Sequence, residues 1–346
     1  MNLFIRTDAS VYIGTGHVVR CLTLADEITS RGGNIQFICR EEEGNLIGLI
    51  ERKGYGLHRL PQGIDLAEDR ELTKEILENQ SDCPDWLIID HYDIDILWEA
   101  PQREFVRRIM VFDELADREH DADILLDQQY NTEKTRYNRL IPEKCIQLLG
   151  PEFAVLKSQF RLAREKLRER SGAIKRIMVS MGGTDKKNAT SLVLKAFYKM
   201  SHFGFDIDVV IGPTCKHRLD IAQVTSHIPN TNLHFNVENM ADLMAACDLA
   251  IGDAGNTTWE RCCLGLPTLM VITSENQRTV AEELSKGDFI TYVGCYEDTK
   301  EDDIVEKITY LINNSKAVKE ISVRVKGLVD GNGTKRVVNS LYRCSN

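Results

Sequence analysis

Leu3-Phe-Ile-Arg6-Thr-Asp8-Ala-Ser10-Val-Tyr-Ile-Gly14-Thr-Gly16-His17-Val-Val-Arg20-Cys-Leu22 opens the chain. An apolar, strand-sized run leads into a glycine turn and then into a segment of helical period, which is how a βα unit of an open sheet begins. The pattern repeats. Further strands are expected over residues 35–39, 56–60, 86–90, 109–112 and 124–127, with helices over 18–31, 45–53 and 67–79 between them. A second series follows, with strands at 176–181, 207–211, 233–236, 249–252, 268–272 and 290–293. Helices at 188–200, 240–246, 257–264 and 279–286 separate these, and more helix is expected at the C-terminus. Strands alternating with helices predict an α/β protein with two doubly wound, parallel-sheet domains.

At 346 residues, the chain is long enough for two cores. The expected division is an N-terminal domain over 1–155, a linker helix region over 156–172 and a C-terminal domain over 173–346, with a boundary near Ser171-Gly172. Residues 157–170 are basic and amphipathic, a pattern that also suits a membrane-surface helix; a solvated connecting helix is the commoner fate of such sequence. The tail beyond residue 290 carries no motif and is expected to complete the second domain, with packing back on the first as a further expectation.

Hydrophobic residues make up 42% and charged residues 28%, and the formal charge is −10. This is an ordinary globular composition, without the basic footprint of a nucleic-acid binder. Apolar runs such as 87–89 and 269–272 are far too short to span a bilayer. No early apolar stretch reads as a secretory signal. The ten cysteines contain no C-x-x-C pair, so reduced thiols and a cytoplasmic location are expected.

In open α/β sheets, ligands bind beyond the carboxyl ends of the strands, so the loops leaving the strands are the places to search. Gly14 and Gly16 let backbone approach a ligand, and the following helix points its free N–H groups there. Residue 19 is valine, so the dinucleotide fingerprint is incomplete. His17 stands directly after the turn. Imidazole is suited to general-base work, but spacing alone leaves a capping or packing role equally open. The second loop, Met181-Gly182-Gly183-Thr184-Asp185, permits close ligand contact, as would a plain turn, and it is not a Walker loop. The third runs from Gly255 through Asn256, Thr257 and Thr258 to Glu260. Its amides and hydroxyls suit a diphosphate, and Glu260 suits the paired hydroxyls of a ribose. A helix cap explains Asn256 and Thr257 equally well but not Glu260.

These residues, with Ile89-Asp90-His91-Tyr92, Gly265-Leu-Pro267 and Asn276-Gln277, resemble in order the motifs of the UDP-sugar hydrolases of pseudaminic-acid biosynthesis. That family also contains spore-coat polysaccharide proteins related to MurG glycosyltransferases. The resemblance runs from residue 3 to about residue 287. It implies a GT-B architecture, two Rossmann-like domains facing across a cleft, with UDP held mainly by the C-terminal domain and the sugar against the N-terminal one. It implies His17 as the general base and Tyr92 beside the sugar; a phenol titrating near 10 suits positioning better than acid catalysis.

Gly14, Gly16, Arg20, Gly182, Gly183, Thr184, Gly255, Asn256, Thr257, Thr258, Glu260, Asn276 and Gln277 are then expected to bind substrate or UDP. The implied activity is hydrolysis of a UDP-linked 2,4-diacetamido-2,4,6-trideoxyhexose with inversion, on the route to flagellin glycosylation. No cofactor or metal is expected. Asp90, His91, Asp93 and Asp95 read as a solvated strand-end loop rather than as ligands. The expected partner is the UDP-sugar alone, with no nucleic acid and no membrane span, and the protein is expected to be a monomer. The alternatives are a GT-B glycosyltransferase and a non-catalytic nucleotide-sugar-binding protein.

Overall fold

The computed structural model describes residues 1–346 except 213, 236, 238 and 346. The chain divides into two compact units, residues 1–155 with 332–346, and residues 156–331. In the first unit, β1 (Asn2–Thr7), β2 (Asn34–Arg40), β3 (Gly56–Leu60), β4 (Trp86–Asp90), β5 (Ile109–Phe112), β6 (Ile124–Asp127) and β7 (Ile146–Leu149) form one sheet in the order β3-β2-β1-β4-β5-β6-β7. Every neighbouring pair in it is parallel. Helices α1 (Gly16–Ser30), α2 (Ile47–Arg52), α3 (Leu66–Glu78) and α4 (Ile96–Glu99) lie among these strands in sequence. The strands form because their runs are apolar on both faces: Leu3, Phe4 and Ile5 are all fully buried, as a sheet covered on two sides requires. On α1 the buried positions Val18, Cys21, Leu22, Ala25 and Ile28 recur at helical spacing, which defines the face laid on the sheet.

The second unit starts with α5 (Ser158–Lys166) and continues as β8 (Arg176–Ser180), α6 (Ala189–Lys199), β9 (Asp206–Ile211), α7 (Arg218–Thr225), β10 (Thr231–Phe235), α8 (Met240–Ala246), β11 (Leu249–Gly252), α9 (Thr257–Cys263), β12 (Thr268–Ile272), α10 (Arg278–Lys286), β13 (Thr291–Cys295), α11 (Glu301–Asn313) and α12 (Ser315–Lys326). Its sheet order is β10-β9-β8-β11-β12-β13, again all parallel. Residue 236, the expected end of the strand at 233–236, lies outside the described residues.

Three expectations are corrected. The pattern predicts no strand at 146–149, yet β7 forms there: it is four residues long at the sheet edge, its apolar run is broken by Gln147, and Ile146 is 43% exposed. Residues 156–172 are not a separate linker, because α5 belongs to the second unit, where Phe160 is fully buried. The C-terminal helix α13 (Gly333–Ser345) belongs to the first unit rather than to the domain expected over 173–346. Its Val337, Val338 and Leu341 enter the same apolar cluster as Leu24, Ile28 and Trp86. Close approach fixes where it starts, since a Cβ at Gly333 would come within 2.2 Å of the Ala154 carbonyl oxygen.

Each sheet reverses its strand order once, between β1 and β4 in the first unit and between β8 and β11 in the second. Those are the points where crevices open at the carboxyl edge of such sheets. Register brings Thr7 opposite Asp90 in one sheet and Gly252 opposite Ser180 in the other.

Because Leu341 is fully buried, Leu341→Ala is expected to destabilise the first unit by ~2–5 kcal/mol, read as a lower urea midpoint by tryptophan fluorescence. A loss within about 0.5 kcal/mol, as for a surface position, would place α13 outside this core.

Candidate functional site

In the first unit, the chain leaving β1 turns on itself before entering α1. Ser10 and Gly14 exchange backbone hydrogen bonds, at 3.2 and 2.9 Å, and the Ser10 hydroxyl oxygen accepts from the N–H groups of Tyr12 and Ile13. Gly14 closes the turn at φ +84°, a conformation open to glycine at little steric cost. Gly16 then begins the helix, and His17 falls in its first turn.

His17, Arg20 and Cys21 share one face of α1, as positions i, i+3 and i+4 do, and all three meet Asp90 at the end of β4. The His17 Nδ1 lies 2.5 Å from Asp90 Oδ1. Arg20 donates from Nε to Oδ2 at 2.6 Å and from Nη2 to Oδ1 at 2.7 Å, and the Cys21 thiol lies 3.5 Å from Oδ2. Arg20 also reaches Glu114 from Nη1 at 2.8 Å and stacks over Phe112, 4.7 Å from its centroid. Asp90 is 1% exposed. Burial pushes its carboxyl up, but Arg20 and then His17 outweigh that and hold it well below the usual carboxylate range.

An ionised Asp90 fixes the ring chemistry, because a carboxylate only accepts and so Nδ1 carries the proton facing it. In neutral His17 the lone pair is therefore on Nε2, which makes no hydrogen bond among the described residues. The Tyr92 ring meets His17 edge to face, with centroids 4.5 Å apart at 83°. A second buried charge network lies alongside. Asp8 accepts from Arg6 Nη2 and from the Arg40 N–H, both at 2.7 Å. Arg6 continues to Asp69, which also accepts from Arg40 and from the Trp98 indole. His91 takes the Asp93 N–H on Nδ1, leaving Nε2 3.4 Å from Asp8. Burial again raises the Asp8 carboxyl, and Arg6 and His91 overcome it and hold it low.

In the second unit, the loops after β8 and β11 flank the switch point. Gly182, at φ +79°, carries the chain past Asp253: a Cβ there would lie 3.0 Å from Asp253 Oδ2. Gly183, Thr184 and Gly255 are half-buried around this point. Asp185 turns inward and accepts the Ala189 and Thr190 N–H groups at 2.8 and 3.1 Å, which caps the start of α6. Among the described residues, the Thr257 hydroxyl is buried without a hydrogen-bond partner, as is Asp253 Oδ1. Glu260 is half-buried, and its carboxylate makes no hydrogen bond among the described residues. Burial pushes it up to about 7 against the pull of Lys157 and Arg261. Two hydroxyl donors arriving there would favour the ionised form.

Gly14, Gly16, His17 and Tyr92 lie in one unit, where the rings of His17 and Tyr92 meet; Gly182, Gly183, Thr184, Gly255, Asn256, Thr257 and Glu260 lie in the other, where Gly182 and Gly255 both come up against Asp253. Asn276 is exposed. Three residues expected to touch a ligand have internal roles. Arg20 is 4% exposed and holds Asp90 and Glu114. Thr258 is 1% exposed, and its hydroxyl accepts from Arg261 at 3.0 Å. Gln277 braces the loop, accepting the Thr273 N–H at 2.9 Å and donating to Asp253 at 3.0 Å. The expected solvated loop at 90–95 is corrected too: Asp90 and His91 are buried, whereas Asp93 is exposed. Asp90, expected as part of a solvated loop, is instead the anchor of His17, Arg20 and Cys21, whose i, i+3, i+4 spacing places them on one helix face. Among the described residues, no three His, Cys, Asp or Glu side chains are grouped to hold a metal ion, and no helix is long and apolar enough to cross a membrane.

Residues 176–331 match the glycosyltransferase family 28 C-terminal domain. The chain is 26% identical to the uncharacterized protein MJ1062 of Methanocaldococcus jannaschii, over 95% of this chain and 70% of that protein. It is 28% identical to the UDP-2,4-diacetamido-2,4,6-trideoxy-beta-L-altropyranose hydrolase of Campylobacter jejuni, over 83% of this chain and 97% of that enzyme. Among solved structures it superposes on Acinetobacter baumannii MurG with a TM-score of 0.70 at 14% identity, covering 99% of both chains. The fold is of the GT-B type.

A carboxylate held low in the folded state adds stability above its unfolded value, near 3.9, and that stability is lost as pH falls toward the folded value. Wild-type unfolding free energy is therefore expected to decline as pH drops from about 5, and Asp90→Asn is expected to flatten that decline. An unchanged slope by urea titration would mean that Asp90 is not held ionised by Arg20 and His17.

Proposed function

We propose that the protein hydrolyses a UDP-linked 2,4-diacetamido-2,4,6-trideoxyhexose to UDP and the free sugar, on a route to pseudaminic or a related nonulosonic acid. The observation that carries this reading is His17, held through Nδ1 by an ionised Asp90 with Nε2 left without a partner. That is the arrangement of a general base oriented by a carboxylate. The name of the 28% identical Campylobacter enzyme supports the substrate class.

In this mechanism the second unit binds UDP. The Gly182-Gly183-Thr184 and Gly255-Asn256-Thr257 turns take the diphosphate, and Glu260 accepts from the ribose hydroxyls. The first unit acts on the sugar. His17 Nε2 takes a proton from water as the water oxygen bonds to the anomeric carbon, and the bond from that carbon to the diphosphate oxygen breaks with its electron pair leaving on UDP. One displacement inverts the anomeric centre. Asp90 stabilises the imidazolium that forms, and Tyr92 positions the sugar.

The glycosyltransferase reading draws on one observation, the family 28 match over residues 176–331. In that case His17 would take the proton of an acceptor hydroxyl instead of water, and turnover would depend on added acceptor.

The test is to incubate the purified protein with the UDP-linked diacetamido-trideoxyhexose, without acceptor, and follow UDP and free sugar by NMR. Turnover is expected in wild type. His17→Asn is expected to lower kcat by about 10²–10⁴-fold, the usual contribution of a general base, while UDP affinity by calorimetry stays within a few-fold. Wild-type turnover in His17→Asn would remove His17 from the mechanism, and UDP bound without release of sugar would favour the non-catalytic alternative.

A further inference from the structure

Asp253 follows β11 at the switch point of the second sheet, facing the turn after β8, and it is 6% exposed. Its two carboxyl oxygens have different surroundings. Oδ2 accepts from Gln277 Nε2 at 3.0 Å, whereas Oδ1 is buried without any hydrogen-bond partner. Arg261 is the cation that acts on Asp253, but its Nη2 donates to the Asp253 main-chain carbonyl and to the Thr258 hydroxyl rather than to the carboxyl group. From the β8 side comes Asp185, a second acid whose oxygens are occupied by the N–H groups of α6. Glycine frames the carboxyl on both sides, with Cβ positions at Gly182 and Gly255 coming within 3.0 and 3.4 Å of Oδ2. Two residues beyond Gly255, the Thr257 hydroxyl is a second buried polar atom without a partner among the described residues.

An ionised Asp253, supported by Gln277 and the Gly255 N–H but with no hydrogen bond at Oδ1 among the described residues, would repel a diphosphate placed at these glycines. A protonated Oδ1 turns the same atom into a donor, which an incoming phosphate oxygen can satisfy. We propose that Asp253 binds the nucleotide as a neutral acid, donating from Oδ1–H to a phosphate oxygen, so that nucleotide binding takes up one proton from solvent. This rests on the reading that the second unit holds UDP. Burial already biases the group this way: it pushes the carboxyl above the usual range, Asp185 adds to the push, and Arg261, Gln277 and the Gly255 N–H oppose it. The partner class is an anion rich in acceptor oxygens. An ionised Asp253 would need a divalent cation between itself and the phosphates instead.

Calorimetry of UDP binding to the full chain tests this at pH 8.5, in two buffers of different ionisation enthalpy, with EDTA or with added Mg²⁺. At that pH Glu260, near 7, and the UDP phosphate, with its second pKa near 6, are ionised beforehand, so neither masks the proton uptake. Wild type is expected to take up a proton on binding UDP, up to one per UDP bound, with no dependence on Mg²⁺. Asp253→Asn keeps an acceptor for Gln277 and puts an N–H at the Oδ1 position. It is expected to bind UDP at pH 6 within about threefold of wild type and to take up no proton at pH 8.5. Its affinity relative to wild type then improves by up to tenfold per pH unit as pH rises.

UDP binding with the same proton uptake in both proteins would overturn the proposal while leaving the UDP site in place. So would a loss of tenfold or more in Asp253→Asn at pH 6, or binding that requires Mg²⁺ through Asp253. Failure of wild type to bind UDP under any of these conditions would overturn the UDP site itself.

Discussion

The first unit's chemistry depends on one buried anion. Asp90 stands at the end of β4 with almost no access to water, and a carboxylate there is tolerated only because Arg20 and His17 reach it from consecutive turns of α1. The same contacts that stabilise the charge orient the imidazole. Removing Arg20 would therefore affect both the packing of α1 on the sheet and the carboxylate that orients the ring, even though Arg20 itself only braces Asp90 and Glu114. Phe112 beneath the guanidinium and Glu114 beside it complete the support.

The two units solve the same geometrical problem with opposite electrostatics. Each reverses strand order once and places glycine turns at the reversal, where backbone can approach a ligand. In the first unit the acids at this edge, Asp8 and Asp90, are matched by arginines and held ionised. In the second, Asp253 and Glu260 are buried with too little compensating charge, and both are raised. An edge of the first kind suits proton abstraction, and an edge of the second kind suits a ligand that brings its own negative charge and its own hydroxyl donors.

Most of this fold was legible in the sequence, because strands buried on both faces read as unbroken apolar runs and glycine turns mark where they end. What escaped has physical reasons. The edge strand β7 reads Ile146-Gln-Leu-Leu149, four residues broken by a polar Gln147, so the unbroken apolar run that marks the central strands is missing. Helix α13 carries an apolar face of Val337, Val338 and Leu341 that would suit either core, and nothing local says that the chain returns to the first unit. The site was half legible. The glycine turns and His17 announce themselves, but Asp90 is 73 residues from His17 in sequence and is joined to it only by the pairing of β1 with β4. Arg20, Thr258 and Gln277 have residue types that suit ligand contact; the burial of Arg20 and Thr258 and the hydrogen bonds of Gln277 to Thr273 and Asp253 assign them to bracing the site.

The central claim is that water activated at His17 attacks carbon, leaving the diphosphate whole. Turnover of the UDP-sugar in ¹⁸O-water, with both products weighed by mass spectrometry at early times, tests it directly. The account predicts label on the anomeric hydroxyl of the released sugar and unlabelled UDP. Label in the phosphate, or release of UMP with sugar phosphate, would contradict it.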